Sequence, residues 1–373
     1  MTYLIRGIRP RAFLSIISLL AGIFIHSAVF AESRLTLLGN FPGMDEGQAD
    51  ALSDDGTVVT GSSGSKAFRW EKEADGLVEL VALVDQVSST TEAISGNGLK
   101  IFGRSRPAGK TKRIVAWTEA GVENLNIIGV PRAASFDGSV VVGESHYQED
   151  GLFVEAAFRR SGVTATGLGW LTGSANTKKS RAYAVSSDGS VVAGESISEG
   201  FEGSFVTEAF RWTASTDMVG LGFLDEGVVA HSHANAISHS GDIIAGWANT
   251  LSGSDIFLWK NGEGMTSIQS FTGSNYPRVS DMSAEGDVIV GHILKSGFTD
   301  AYRWSEADGI QSINEWLNAA GVDTAGRRFL TATAVSADGN TVVGMVTDEA
   351  LSGTTEPYLA IVTNDLVHAD GFE

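Results

Sequence analysis

The chain of 373 residues contains no cysteine. Disulfides, thiolate metal ligands and cysteine nucleophiles are therefore excluded together. Basic residues are few, with 26 Lys and Arg against 45 Asp and Glu. Three of the basic ones, Arg6, Arg9 and Arg11, fall in the first 31 residues, so the remainder carries 23 against 45 and a net charge of −22. A surface that negative repels phosphate backbones and anionic lipid, which argues against nucleic acid as a partner. After residue 31, charge or glycine interrupts every apolar run. No membrane span is expected there, since a spanning helix needs about 20 apolar residues. H-E-x-x-H, G-x-S-x-G and phosphate-loop motifs are missing, and no two carboxylates stand at a diagnostic spacing.

The first 31 residues differ in kind from the rest. A basic start leads into Phe13 to Ile25, thirteen residues without charge, and then into Ala28-Val29-Phe30-Ala31. That three-part layout predicts a secretory signal peptide over 1–31, cut after Ala31, and hence an exported protein, periplasmic or extracellular.

The remainder repeats itself. A Ser, a short turn ending in Gly, a β-branched run and a second Gly recur seven times: LSDDGTVVTG, ISGNGLKIFG, ASFDGSVVVG, VSSDGSVVAG, ISHSGDIIAG, MSAEGDVIVG and VSADGNTVVG. The two glycines are always five residues apart, while successive copies are separated by 42, 40, 51, 52, 45 and 53 residues. Fixed motifs at variable intervals mean variable loops on a fixed scaffold. Downstream of each anchor comes an A-F-R-W-like segment, then a turn and a short L-G-type strand. One unit therefore reads as strand a, tight turn, strand b, loop, strand c, turn, strand d. Asp-Gly between β-branched runs is a strong hairpin signal because the turn requires positive φ. Ala stands two residues before the anchor Ser in six copies, Asp281 being the exception.

Seven units of this length and strand content predict an all-β fold, a seven-bladed β-propeller of four-stranded blades spanning 32–366, with a short tail at 367–373. The seventh copy lacks its strand d, whereas residues 34–41 (RLTLLGNF) form an orphan d-like strand ahead of the first copy. Pairing of that N-terminal strand with the last blade would close the ring and leave no open edge. One helix is expected at Ser312–Ala320, with Ile313, Trp316 and Leu317 on one face and Gly321 as its stop.

At these residues the chain resembles the HAF-repeat family of bacterial extracellular proteins. Ala182-Tyr183-Ala184-Val185-Ser186-Ser187-Asp188-Gly189 with Ala209-Phe210-Arg211-Trp212, and Ala334 to Gly344, carry the likeness. The His that precedes Ala-Phe in that family's pattern is replaced in every copy, by Lys66, Ala156 and Glu208 among others. The resemblance implies a propeller-like repeat fold and an exported location. It implies no common activity.

Candidate chemistry is sparse. The S-x-D-G turns offer too few oxygens for calcium. The Trp residues at 70, 117, 212, 259 and 304 recur at one point of strand c and read as filler between blades. His231 and His233 have the i, i+2 spacing that puts two rings on one face of a strand, but a third metal ligand is not apparent, and His239 belongs to the far end of that strand. No metal or other cofactor is predicted. In a propeller the d–a and b–c connections share one face, and here that face takes the long, dissimilar segments 144–156, 173–181, 195–208, 225–233, 248–255, 272–278 and 318–331. Arg181, His233 and Arg278 stand five residues before their anchor Ser, with Arg132 two residues nearer its own. Gathered at a channel mouth, Arg132, Arg181, His231, His233 and Arg278 form the candidate ligand site. They either pair with acids such as Glu149, Asp150, Glu195 or Glu199, the simpler expectation, or await an anionic ligand. The chain thus reads as a non-enzymatic scaffold for a glycan, peptide or protein partner. The alternative is an extracellular glycan-active hydrolase or lyase with its site in the funnel.

Overall fold

The computed structural model describes residues 32–363, apart from 73, 84–85, 108, 110, 150–151, 172–177, 200–204, 226–229, 269–275, 296 and 349–352. The expected signal peptide and the whole of the expected C-terminal tail lie outside the described residues. No helix among the described residues is long and apolar enough to cross a membrane.

Twenty-eight strands make seven antiparallel sheets of four, each in the order a-b-c-d. The seven a strands are Gly47–Leu52, Gln86–Ile94, Gly129–Ala134, Ser180–Val185, Ser232–Ile237, Tyr276–Met282 and Arg328–Val335, which number the blades one to seven. Blade seven takes its outer strand from the N-terminus: Arg34–Leu37 pairs antiparallel with Thr355–Ile361 in the register Arg34↔Ile361, Leu37↔Tyr358. The predicted closure is therefore present, and it covers an edge that would otherwise be open to another chain.

In each anchor motif the Ser hydroxyl accepts from the amide five residues on. In blade four the Ser186 hydroxyl donates to Asp188 Oδ1 at 2.7 Å and accepts from the Val191 amide at 3.0 Å, while Asp188 Oδ1 accepts from the Ser190 amide at 2.9 Å. Gly189 adopts φ +74°, and a Cβ there would lie 2.6 Å from Val140 of the preceding blade, so the turn also seats one blade against the next. Backbone bonds then link the turns into a circle. The amides of Asp54, Asn97, Phe136, Ser187, His239, Ala284 and Ala337 donate to Gly96, Phe136, Ser187, His239, Ala284, Ala337 and Asp54 at 2.8–3.1 Å. That belt joins blade seven to blade one independently of the shared sheet.

The core lies between blades. Phe68, Phe158, Phe210, Phe257, Tyr302 and Tyr358 of the c strands are fully buried, at about 2–3 kcal/mol each. Trp70, Trp212, Trp259 and Trp304 join the clusters of the ring on their own strand, and Trp117 joins one built on Ile101 and Val115; Trp70 and Trp117 are buried, Trp212, Trp259 and Trp304 partly so. The ring opposite the second Gly is thus the deeper core element, with Trp packed beside it. The helix is Ile313–Ala319, capped by Ser312 in a reciprocal box with Glu315, and Ile313, Trp316 and Leu317 are buried. It fills the connection between blades six and seven.

Three segments that sequence patterning marks as loops are regular structure. Val140–Glu149 with Leu152–Ser161, Val191–Glu199 with Phe205–Thr213, and Ile243–Thr250 with Gly253–Lys260 are long b–c hairpins that rise above the ring. Gly and acidic residues are frequent in these segments of the sequence, which reads locally as loop, but the b and c strands stay paired residue by residue and so continue the ladder.

Candidate functional site

The site is made by a backbone irregularity repeated seven times. In every a strand the register slips by one residue against strand b, as between Ala182 and Ala184, leaving one residue unopposed. Such a bulge re-aims a side chain. The residues skipped three before each anchor Ser are Asp50, Glu92, Arg132, Tyr183, Asn235, Ser280 and Thr333, and all seven line the central channel, which encloses about 240 Å³; blades two and seven carry a second shift, at Val87 and Leu330. The second Gly of each motif is what permits the bulge. A Cβ at Gly194 would sit 1.9 Å from the Arg181 carbonyl, and one at Gly246 would sit 1.8 Å from the His233 carbonyl.

Around this ring stands a second one, made by the cross-strand pairs Thr90↔Arg104, Val130↔Glu144, Arg181↔Glu195, His233↔Trp247 and Arg278↔His292. Here the predicted cations meet their partners. Arg132 holds Glu144 with two bonds, Nη2–Oε1 at 2.8 Å and Nε–Oε2 at 3.1 Å. Arg181 Nε bonds Glu155, and its Nη1 donates to Glu195 at 3.1 Å. His233 Nδ1 shares a hydrogen bond with the other oxygen of Glu195. Burial alone would raise the Glu195 carboxyl, but the hydrogen bond from His233 and the charges of His233 and Arg181 hold it below the usual carboxylate range. Arg104 closes the series on Glu92 at 2.7 Å.

Arg278 differs. Among the described residues no carboxylate pairs with it. Its Nη1 donates to the Pro277 carbonyl at 3.0 Å, and its guanidinium carbon lies 4.1 Å from the centre of the Trp247 ring. His233 stacks on the same indole at 4.0 Å and 14°. Two groups so close cannot share one face, so Trp247 is sandwiched between them. Burial lowers the Arg278 pKa, and the same burial, together with the charge of Arg278, lowers that of His292 and keeps its imidazole neutral near pH 7. His292 Nδ1, Asn235 Oδ1 and Glu92 Oε2 are buried without a hydrogen-bond partner.

Of the predicted site residues, Arg132, Arg181, His233 and Arg278 come together at the mouth. His231 precedes its strand and accepts the Thr207 amide on Nδ1 at 3.0 Å, so that nitrogen is committed to the backbone. No group of three His, Asp or Glu placed to hold a metal occurs among the described residues. The acids that neutralise the cations are Glu144, Glu155 and Glu195. Only the last belongs to the expected set: Asp150 and the Glu149 side chain lie outside what is described, and the strand b position beside the mouth supplies the partner instead. Sequence reading passed over Asp50, Glu92, Tyr183, Glu144, Trp247 and His292. Their signal was available as a fixed offset: three residues before the anchor Ser, or the residue directly after the second Gly.

At the opposite, short-turn end the channel is narrow. His239 Nε2 and Asp54 Oδ2 meet at 3.3 Å, and Gly96 leaves room for Asp54 and Phe136 beside it.

Fold and channel define a closed seven-bladed β-propeller. No protein-family model matches the chain, and no curated protein matches it by sequence. Solved structures do. An oligogalacturonate lyase in complex with manganese aligns with TM-score 0.56 at 12% identity, covering 88% of this chain and 93% of that one. A prolyl endopeptidase aligns with TM-score 0.55 at 13% identity, over 83% of this chain. TolB from Acinetobacter baumannii aligns at 13% identity with TM-score 0.45. The chain spans 50% of the length of the endopeptidase and 62% of TolB. At such identities the likeness is one of fold.

Proposed function

We propose that this chain is an exported, non-enzymatic propeller of the HAF-repeat kind that binds a glycan, peptide or protein partner through its long-loop face. The observation that carries the reading is the asymmetry between the two faces. The a–b turns repeat one hydrogen-bonded design, whereas the other face carries the b–c hairpins. Exposed apolar side chains collect on that face too: Tyr147, Phe205, Leu251, Tyr276, Leu294 and Phe298 all stand on the hairpins or at the start of strand a. Variable, exposed elements held by a rigid ring are where recognition resides.

The test is a glycan and peptide array probed with the full chain and with two variants. Phe205→Ser with Leu251→Ser alters the long-loop face, and Lys72→Glu alters the short-turn face. Signal lost only in the first supports the reading. Signal indifferent to both, or lost in the second alone, overturns it.

A second reading, a glycan-active lyase or hydrolase, draws on the bond between His233 and Glu195, which orients an imidazole at the mouth as a general base requires. The oligogalacturonate lyase lends it a parallel in fold only. Product release from polygalacturonate that disappears in His233→Ala is its test.

A further inference from the structure

The b–c hairpin of blade two carries a charge distribution unlike the rest of the chain, and its consequence for ligand chemistry rests on the binding role proposed above. Between Glu92 and Glu119 no acidic residue occurs, whereas six of the 26 basic ones do: Lys100, Arg104, Arg106, Lys110, Lys112 and Arg113. Over the whole chain acids outnumber bases by 45 to 26, so charge is segregated onto this segment.

Strand pairing gathers three of these cations. Arg104 and Arg106 stand two residues apart on strand b, Ile101–Pro107, and therefore share one face of the sheet, opposite Thr90 and Ser88 of strand a. Two residues before Arg104 on that face, Phe102 packs with Val141 and Phe158 of blade three, so the cations stand at the junction of blades two and three. Lys112 joins them from the residue before strand c. Burial and then the charge of Arg104 lower its pKa, Glu92 opposes them, and Arg106 adds to them. Arg113, paired with Ser105, belongs to the other face.

Glu92 is the carboxylate of this group, and its Oε1 is taken by Arg104 Nε at 2.7 Å and by the Thr90 hydroxyl at 2.9 Å. Among the described residues Arg106 and Lys112 form no ion pair. Three cations against one carboxylate leave a surplus of two positive charges on one face. Like charges held this close repel, and a dianion placed among them removes the repulsion.

We infer that the face made by Arg104, Arg106 and Lys112 binds the phosphate monoester of a small soluble ligand. Above its second pKa of about 6 such a group carries nearly two negative charges and three strong acceptor oxygens, which matches the surplus. A carboxylate or a sulfate ester carries one charge and leaves half the surplus unanswered. Arg106 offers a planar fork and Lys112 a compact charge with three donors. The ligand is small because the excess of acids elsewhere repels an anionic membrane or a nucleic acid as a whole. Within a Debye length of about 8–10 Å from the hairpin, the local cations dominate instead.

The experiment is isothermal titration of the full chain at pH 8 with glucose 6-phosphate and with glucose 6-sulfate, the same sugar bearing one charge fewer. The phosphate is expected to bind at least about 10-fold more tightly than the sulfate. Arg106→Gln with Lys112→Gln should weaken the phosphate by a similar factor. Lys72→Gln with Lys260→Gln removes the same charge from the short-turn face and should change its affinity by less than about 2-fold. The hairpin variant breaks no ion pair, so its melting temperature should stay within ~2 °C of wild type, which separates lost binding from lost fold. Equal binding of the two esters, equal losses in the two double variants, or no binding of the phosphate overturns the inference. So does cosedimentation with vesicles containing phosphatidic acid when the soluble ester fails to bind. If the phosphate fails while an array ligand still responds to Phe205→Ser with Leu251→Ser, this inference falls alone. If nothing responds to that variant, the binding role falls with it.

Discussion

His239 of blade five and Asp54 of blade one meet across the narrow end of the channel, Nε2 to Oδ2 at 3.3 Å. Both side chains are partly exposed, so the pair contributes less than about 1 kcal/mol. The backbone belt beneath them holds that end of the ring. His239→Ala is accordingly expected to lower the melting temperature by no more than ~2 °C in a calorimetric scan. A drop several times larger would mean that the pair, not the belt, secures the closure.

Stability should peak at mildly acidic pH. Burial raises Asp50 and Asp281 to about 7, above the ordinary 3.8, so the folded state binds more protons than the unfolded one between those values. Folding therefore weakens as pH rises through that window. The turn carboxylates work in the other direction. Hydrogen bonds from the Ser190 amide and the Ser186 hydroxyl hold Asp188 below its ordinary value, and Asp55, Asp137 and Asp338 are lowered too. Their contribution is present above pH 3.8 and is lost as pH falls through their folded values. Denaturant melts from pH 3 to 9 should show the maximum between about 4 and 6. Asp50→Asn can keep the contacts to Gln48 and Thr91, and it should gain ~1–2 kcal/mol at pH 8, discounted for water in the channel.

Gly194→Ala should be among the most damaging single substitutions. Its Cβ would fall 1.9 Å from a backbone oxygen, and that backbone is fixed by the bulge. Loss of at least ~3 kcal/mol is expected in chemical denaturation. A loss under 1 kcal/mol would show that the bulge can relax.

The anchor Ser matters more than the Asp beside it. Ser186→Ala strands the buried Val191 amide, at about 1–3 kcal/mol. Asp188→Ala frees the exposed Ser190 amide to water and should cost less. Paired urea titrations give the order, and the reverse order would contradict the turn's assignment.

Deleting residues 32–37 should open blade seven. Leu35 and Leu37 lose their packing, and the Thr355–Ile361 strand becomes an edge. A fall of ~10 °C or more and concentration-dependent association in light scattering are expected. A monomeric, unshifted variant would mean that the belt alone closes the ring.

The seven-fold count, the strand order within each blade, the donated N-terminal strand and the capped helix were all legible in the residues. Each is encoded locally, in the Ser–Gly–Gly spacing, the Asp-Gly turns and the Ser312–Glu315 pair, and repetition multiplied the signal. Tertiary structure alone decided the site. Whether Arg132 or Arg278 is neutralised depends on which side chain stands across the strand and which faces it from the next blade, and in blade four Glu155 reaches Arg181 from a different sheet. Those contacts join positions 12–26 residues apart through pairing and bulge geometry, so no local pattern records them. The bulge itself left a trace, the second Gly, but its effect of turning Asp50, Glu92 and Tyr183 into the channel follows only once seven blades have closed around a common axis.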